Sequence, residues 1–345
     1  MSKSNKVTDL FSAKRIAIPI AIGFLVAGYM LWDKTNWKSL QQIDWTYEMF
    51  GWLLVAVLMM VIRDLAYMYR IKVLTENVLS WRKSFDVIML WEFASSITPS
   101  VVGGSGVAMF ILNKEGISLG KSTAVVMVTA LLDELFYVIM VPLVILLIGT
   151  QHLFPIELSK TVFGITLSTK EIFMVGYVFI LFLVTLIFYG VFVNPQRLKN
   201  SLVKLFSIKI LRKWQIKIEK LGDDLIQTSA ELKNKSFLFW VKAFGATIFS
   251  WTARFWVVNF LILAFTDVSS HFLIYGRQLV MWVILLISPT PGGTGVAEFA
   301  FNGFLQDFIP IGLAGLLVVL WRLISYYPYL FIGAFVLPKW IKRIN

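Results

Sequence analysis

The sequence predicts an all-α integral membrane protein: an inverted repeat of helix–re-entrant hairpin–helix units, with about six full spans plus two re-entrant hairpins. Three observations predict it. Of the 345 residues 58% are hydrophobic and 15% charged, and mean hydropathy is +0.77, whereas soluble domains carry about 45–50% apolar and about 25% charged residues. Two near-identical glycine-rich hexapeptides, GGSGVA and GGTGVA, occupy Gly103–Ala108 and Gly292–Ala297. Basic residues cluster between the apolar stretches and so orient them.

A spanning helix needs about 20 mostly apolar residues. Ile16–Trp32 is the first candidate and reads as a retained anchor, because its polar, basic leader lacks a small-residue cleavage site. Phe50–Ile71, Ser122–Thr150, Glu171–Val193, Phe237–Phe265 and Pro310–Leu337 follow. Two further apolar stretches, Phe85–Leu112 and Gly276–Leu305, are interrupted by ITPSVVGG and SPTPGG. Lys3, Lys6, Lys14 and Arg15 set the N-terminus in the cytoplasm. Arg70, Lys72, Arg82 and Lys83 put the next turn there too, as do the basic stretch after Asn194 and the KWIKRIN tail. The chain is then cytoplasmic on both sides of Phe85–Leu112 and external on both sides of Gly276–Leu305, so each stretch enters and leaves by one face. Arms of roughly 10–13 residues reach the midplane without crossing it.

The hexapeptides lie 189 positions apart, and at that offset Asp133 meets Arg322 and Tyr137 meets Tyr326. An odd number of crossings separates the two copies, which makes the repeat inverted. Chain 1–345 is thus one polytopic domain: repeat 1 over about 50–150, a basic cytoplasmic connector over 194–236, and repeat 2 over about 237–337. Leu202, Leu205, Phe206, Ile208, Ile210, Leu211 and Trp214 give the connector an apolar side, so it reads as a solvated connector or as a surface helix whose charge suits anionic lipid, with no need of nucleic acid.

Broken helices in inverted repeats point to a midplane site, and backbone N–H groups at glycine-rich tips can hold an anion. Candidate substrate-binding residues are therefore Thr98, Ser100, Gly103 and Gly104 at the first tip, and Thr290, Gly292 and Gly293 at the second. Asp133 and Arg322 each fall roughly 17–18 Å into their helices, where a charge is costly. They read either as a structural ion pair or as a phosphate-binding arginine with its resting partner. Tyr326 and Tyr329 share the Arg322 face at i+4 and i+7. Arg63 and Arg254 continue a ladder of cations or snorkel to the interfaces. Glu298 suits an amine, a coupling proton or a hydrogen-bonded structural role; Glu92 and Glu134 are weaker candidates of the same kind. The chain has no cysteine and two histidines, His152 and His271, both expected between helices, so no metal site and no cofactor is expected.

Four motifs carry a family resemblance: TPSVVGG at Thr98–Gly104, LLDELF at Leu131–Phe136, PTPGGTGVAEFA at Pro289–Ala300 and WRLISYYPYLFIG at Trp321–Gly333. The chain resembles the transmembrane domain of the lysylphosphatidylglycerol synthase/flippase family, which includes the membrane half of the multiple peptide resistance factor. The resemblance implies translocation of a phospholipid, or another lipid with a decorated or aminoacylated headgroup, by alternating access. It also implies a flippase-type unit without the soluble aminoacyltransferase domain, in the cytoplasmic membrane with both termini inside. The expected partners are anionic membrane lipids. A homodimer stays open, as do two other functions: an enzyme acting on lipid headgroups, and a non-transporting subunit.

Overall fold

A computed structural model describes residues 21, 25, 28, 29, 31–33, 35, 37–41, 43–98, 101–155, 160–162, 165–208, 212, 215–286, 293 and 295–344. Of the expected elements, most of Ile16–Trp32 lies outside the described residues, as do Ser100, Thr290 and Gly292.

The chain is a helical membrane protein. Five helices among the described residues are long and apolar enough to cross a bilayer: Tyr47–Leu74 (α1), Leu119–Ile148 (α4), Thr169–Val193 (α5, whose last turn is a π-turn), Phe237–Leu263 (α8) and the stretch Ala314–Ile344. Polar caps set where they begin. The side chains of Thr46, Ser118, Ser168 and Ser236 accept from the backbone N–H three residues on, in α1, α4, α5 and α8 respectively. Shorter helices fill the interrupted stretches: Trp81–Ile97 (α2) with Val101–Lys114 (α3), and His271–Leu286 (α9) with Val296–Leu305 (α10). A two-stranded antiparallel ribbon, Lys160–Val162 (β1) with Ile165–Leu167 (β2), departs from the all-α expectation.

Several expected boundaries shift. Helix α1 runs three residues past Ile71, to Leu74, and Arg70 is buried in it at 4% exposure rather than standing in the turn that follows. The last stretch is two helices, Ala314–Ser325 (α11) and Tyr327–Ile344 (α12), broken at Tyr326. The connector is likewise two helices, Pro195–Phe206 (α6) and Gln215–Lys233 (α7). Leu205 and Ile208 are exposed, while α7 buries Leu225 and Leu232 and packs against α4. His271 opens α9 and stacks on Trp256 rather than lying between helices.

Helices α1 and α8 pack antiparallel along their length. Trp52 stacks on Phe260, Ser250 Oγ donates to Arg63 O at 3.2 Å, and Arg70 donates to Thr247 Oγ1 at 2.9 Å. The interrupted pairs dock crosswise: α2 packs on α12, and α9 on α4. Gly333 allows the first contact, since a Cβ there would collide with the Phe93 side chain. Gly276 allows the second; a Cβ would come 2.7 Å from Val144 Cγ1 and 2.8 Å from Leu153 Cδ2.

Each interrupted pair begins and ends at one place. Lys83 near the start of α2 lies 3.2 Å from Glu115 just past α3, and Arg343 of α12 pairs with both Asp86 and Glu115. Arg277 in α9 pairs with Asp307 just past α10 at 2.7 Å and donates to Phe304 O and His152 O. The first base adjoins the start of α4 and the second its end. Asp133 lies midway along this 30-residue helix.

Candidate functional site

Between these elements lies a cavity of about 290 Å³. Helix α1 contributes Arg63, Tyr67 and Arg70; α2 contributes Glu92, Ser96 and, at its end, Thr98. Asp133, Glu134 and Tyr137 come from α4, Trp251 and Arg254 from α8, and Trp282 from α9. Gly293 reaches it ahead of α10, with Arg322, Tyr326 and Tyr329 from α11, the break and α12. One space therefore receives the ends of both interrupted pairs and the middles of the long helices.

The charges are organised in pairs. Arg63, 1% exposed, serves Asp64 at 2.8 Å and Glu92 at 2.5 Å, and also donates to the Tyr329 hydroxyl at 2.8 Å. Arg70 grips Asp133 with both terminal nitrogens, at 2.6 and 3.1 Å, the forked geometry that suits arginine to carboxylates. Trp251 Nε1 donates to the same carboxylate at 2.8 Å. Tyr67 lies between the two guanidinium groups, with Arg63 Cζ 4.3 Å and Arg70 Cζ 4.5 Å from its ring centre. Arg322 Nε meets Glu298 Oε1 at 2.7 Å.

The expected pairing of Asp133 with Arg322 is therefore a correction: Asp133 belongs to Arg70, and Arg322 to Glu298. The offset of 189 relates positions in two copies, and related positions need not touch. The antiparallel packing of α1 on α8 carries Arg70 to the α4 midpoint, while Glu298, in the first turn of α10, lies against α11. Glu298 Oε2 also accepts from Gly295 N at 2.6 Å, a carboxylate at a helix N-terminus, where the macrodipole favours it. Glu298 does not line the cavity.

Arg254 is different. Its Cζ lies 4.5 Å from the Trp282 ring centre and 5.6 Å from that of Trp251. Among the described residues no carboxylate pairs with it, and its Nε makes no hydrogen bond. Arg63 is buried, whereas Arg254 is half-buried against the Trp282 and Trp251 rings.

The two hexapeptides do different work. Gly103, Gly104 and Gly106 lie within α3, and a Cβ on Gly104 would strike the Ser95 side chain, so this copy lets the two arms close on each other. Gly104 does not line the cavity, and the surroundings of Gly103 lie outside what is described. In the second copy Gly293 and Gly295 have φ of 68° and 86° ahead of α10, a left-handed backbone that glycine adopts freely. Tyr326 lines the cavity from the break itself, and its hydroxyl donates to Ser96 O at 3.0 Å, so the tyrosine stripe survives although the helix does not continue.

Sequence reasoning missed Tyr67, Arg70, Trp251 and Trp282 as cavity residues. Arg70 carried a signal, as a helix-compatible cation seven residues beyond Arg63 and so on the same face. The tryptophans carried none, being indistinguishable in sequence from interfacial ones.

The sequence profile of the lysylphosphatidylglycerol synthase transmembrane region matches residues 16–333. The chain belongs to this family. Across 92% of its length it is 26% identical, over 331 residues, to a UPF0104 membrane protein of Archaeoglobus fulgidus, and the match covers 94% of that protein. Within this lysylphosphatidylglycerol synthase transmembrane-region fold, the cavity lies where the family motifs converge: Thr98 begins the first, Asp133 sits in the second, Gly293 in the third, and Arg322, Tyr326 and Tyr329 in the fourth.

Proposed function

We propose that the protein translocates a lipid with an anionic headgroup by alternating access through this cavity. The candidate substrates are an anionic phospholipid or another lipid with a decorated headgroup. Arg254 carries the reading: a guanidinium at bilayer depth, beside the cavity and without a carboxylate partner among the described residues. An unneutralised cation there is expensive, and the planar fork grips phosphate oxygens well. A volume of about 290 Å³ is at the small end of ligand sites, which run to roughly 300–1,000 Å³. It suits a headgroup whose acyl chains stay in the bilayer.

The same proposal includes an inverted repeat with two re-entrant hairpins, α2–α3 and α9–α10. Several observations support it. Arms of 17, 14, 16 and 10 residues extend about 15–26 Å, short of a roughly 30 Å core. The paired ends of each hairpin, their positions at opposite ends of α4, the crosswise docking and the antiparallel α1–α8 pair all follow from a twofold axis in the membrane plane. Non-helical backbone at bilayer depth is tolerated where it lines a cavity, and Thr98 and Gly293, which flank the two interruptions, line this one. In this reading both termini, the α1–α2 turn and the connector are cytoplasmic, which agrees with the basic clusters.

The test is lipid movement in vesicles of phosphatidylglycerol and phosphatidylcholine containing tail-labelled fluorescent phosphatidylglycerol, quenched from outside. Wild-type protein exposes the inner-leaflet probe, and Arg254→Ala slows this at least about tenfold, the loss of a charge-assisted contact. Movement no faster than in protein-free vesicles overturns the proposal.

A further inference from the structure

Three of the four arginines that line the cavity have carboxylate partners: Arg63 with Asp64 and Glu92, Arg70 with Asp133, and Arg322 with Glu298. The remaining cavity charges are Arg254 and Glu134. Glu134 is 7% exposed and lines the cavity, and its Oε2 has no hydrogen-bond partner among the described residues. It sits one residue past Asp133, whose carboxylate is fully engaged. Three residues further along the same helix the Tyr137 hydroxyl, 1% exposed, also lacks a hydrogen bond, as does Thr129 Oγ1 five residues before. Helix α4 thus presents several buried polar atoms without hydrogen-bond partners to the cavity, and Glu134 is the one carboxyl among them. No ion pair joins Glu134 to Arg254, although both border the same space.

We infer that Glu134 is a proton-carrying site of the transport cycle, taking up a proton when the lipid anion docks on Arg254. The inference rests on the reading of Arg254 as the headgroup site. The reason is charge balance in a poorly solvated space. Arg254 is the one cation lining the cavity without a carboxylate partner among the described residues, and so the one left to compensate an ionised Glu134 while no lipid is bound. A phosphate on Arg254 consumes that cation and leaves the Glu134 charge uncompensated, which a proton on its carboxyl removes. The proton comes from water entering with the headgroup and returns to water when the lipid leaves, so no bond other than O–H forms or breaks. Intramembrane carboxyls that face a cavity serve proton transfer in other transporters.

Every other group facing Glu134 has a role that does not change with the headgroup. From α1, Arg70 holds Asp133, and Tyr67 is stacked between Arg63 and Arg70. From α2, Glu92 is held by Arg63; from α11, Arg322 is held by Glu298; from α12, the Tyr329 hydroxyl donates to Asp64 at 2.8 Å. On α4 itself are Asp133 and Tyr137, and α8 supplies Arg254. A sodium ion suits the place less well than a proton, because Oε2, the Tyr137 hydroxyl and Thr129 Oγ1 are few oxygens for a hard cation.

The experiment measures protons and lipid together. Purified protein in weakly buffered detergent solution, with a pH-indicating dye, is titrated with short-chain phosphatidylglycerol, and tryptophan fluorescence reports occupancy beside Trp251 and Trp282. Wild type takes up protons on binding lipid, up to one per lipid and with the fraction set by the pH, as linkage requires when binding and protonation are coupled. Glu134→Gln still binds lipid but takes up none, and its affinity loses its pH dependence. Glu231→Gln, at an exposed carboxylate on α7 away from the cavity, keeps the uptake. Lipid binding without proton uptake in wild type overturns the inference while the lipid site stands, and so does uptake retained in Glu134→Gln or lost equally in Glu231→Gln. Absence of any binding overturns the lipid site itself, and the proton site with it.

Discussion

Asp133 and Arg70 are the residues at which chemistry and stability meet most directly. Replacing Asp133 with alanine leaves Arg70, 4% exposed, with the Thr247 hydroxyl in place of a carboxylate, and removes the acceptor of Trp251 Nε1. Orphaning one member of a buried ion pair costs about 3–5 kcal/mol. The Asp133 side chain is 22% exposed, so the lower end of that range is expected. Unfolding by titration with a denaturing detergent should show this loss in Asp133→Ala, and should show recovery in a variant that exchanges Asp133 and Arg70. An Asp133→Ala protein as stable as wild type contradicts the pairing. Both residues stand in the sequence as ionisable groups in apolar surroundings, and Asp133 announces itself as such. Its partner does not, because the choice between Arg70 and Arg322 depends on which helices approach α4, and no spacing within one helix encodes that.

At the scale of elements, capping and composition carry far. A polar residue stands before each long helix from α1 to α8, and the Pro-Gly interruptions fall where the short helices meet. The break at Tyr326 is hidden, since WRLISYYPYLF reads as one apolar run and Pro328 comes two residues after the break. The division of the connector is hidden too, because both halves are basic and amphipathic. The α1–α2 turn gives a prediction of its own. Glu76 there receives hydrogen bonds from Lys121 of α4 at 2.8 Å and from Lys235, just before α8, at 2.6 Å. The Lys121 bond first, and then that from Lys235, hold its carboxyl below the ordinary value of 4.5. A lowered carboxyl stabilises the folded chain above its unfolded value and loses that contribution as pH falls through the folded one. At 40% exposure the clamp is a surface one, a class worth about 0–1 kcal/mol. Wild type should therefore melt slightly above Glu76→Gln at neutral pH, with the gap closing below pH ~4. A gap that persists or widens in acid contradicts the clamp.

For the whole molecule, the proposed repeat rests in the sequence on two glycine hexapeptides that recur with a constant offset to their neighbours, and the two hexapeptides differ in what their glycines do. Gly104 serves close packing of two arms, whereas Gly293 and Gly295 serve a left-handed turn. The proposed arrangement, with one hairpin entering from each face, predicts that the cavity communicates with water on either side in turn. The chain contains no cysteine, so single-cysteine variants report one position each. The most direct measurement is labelling of Ala130→Cys, a position that lines the cavity beside Thr129, by a membrane-impermeant maleimide applied to one face at a time. Arg82→Cys and His271→Cys serve as markers of the cytoplasmic and external faces. Alternating access predicts labelling of Ala130→Cys from both faces, with Arg82→Cys labelled only from the cytoplasmic side and His271→Cys only from the external side. Labelling of Ala130→Cys from one face alone, with the two markers behaving as stated, would contradict it.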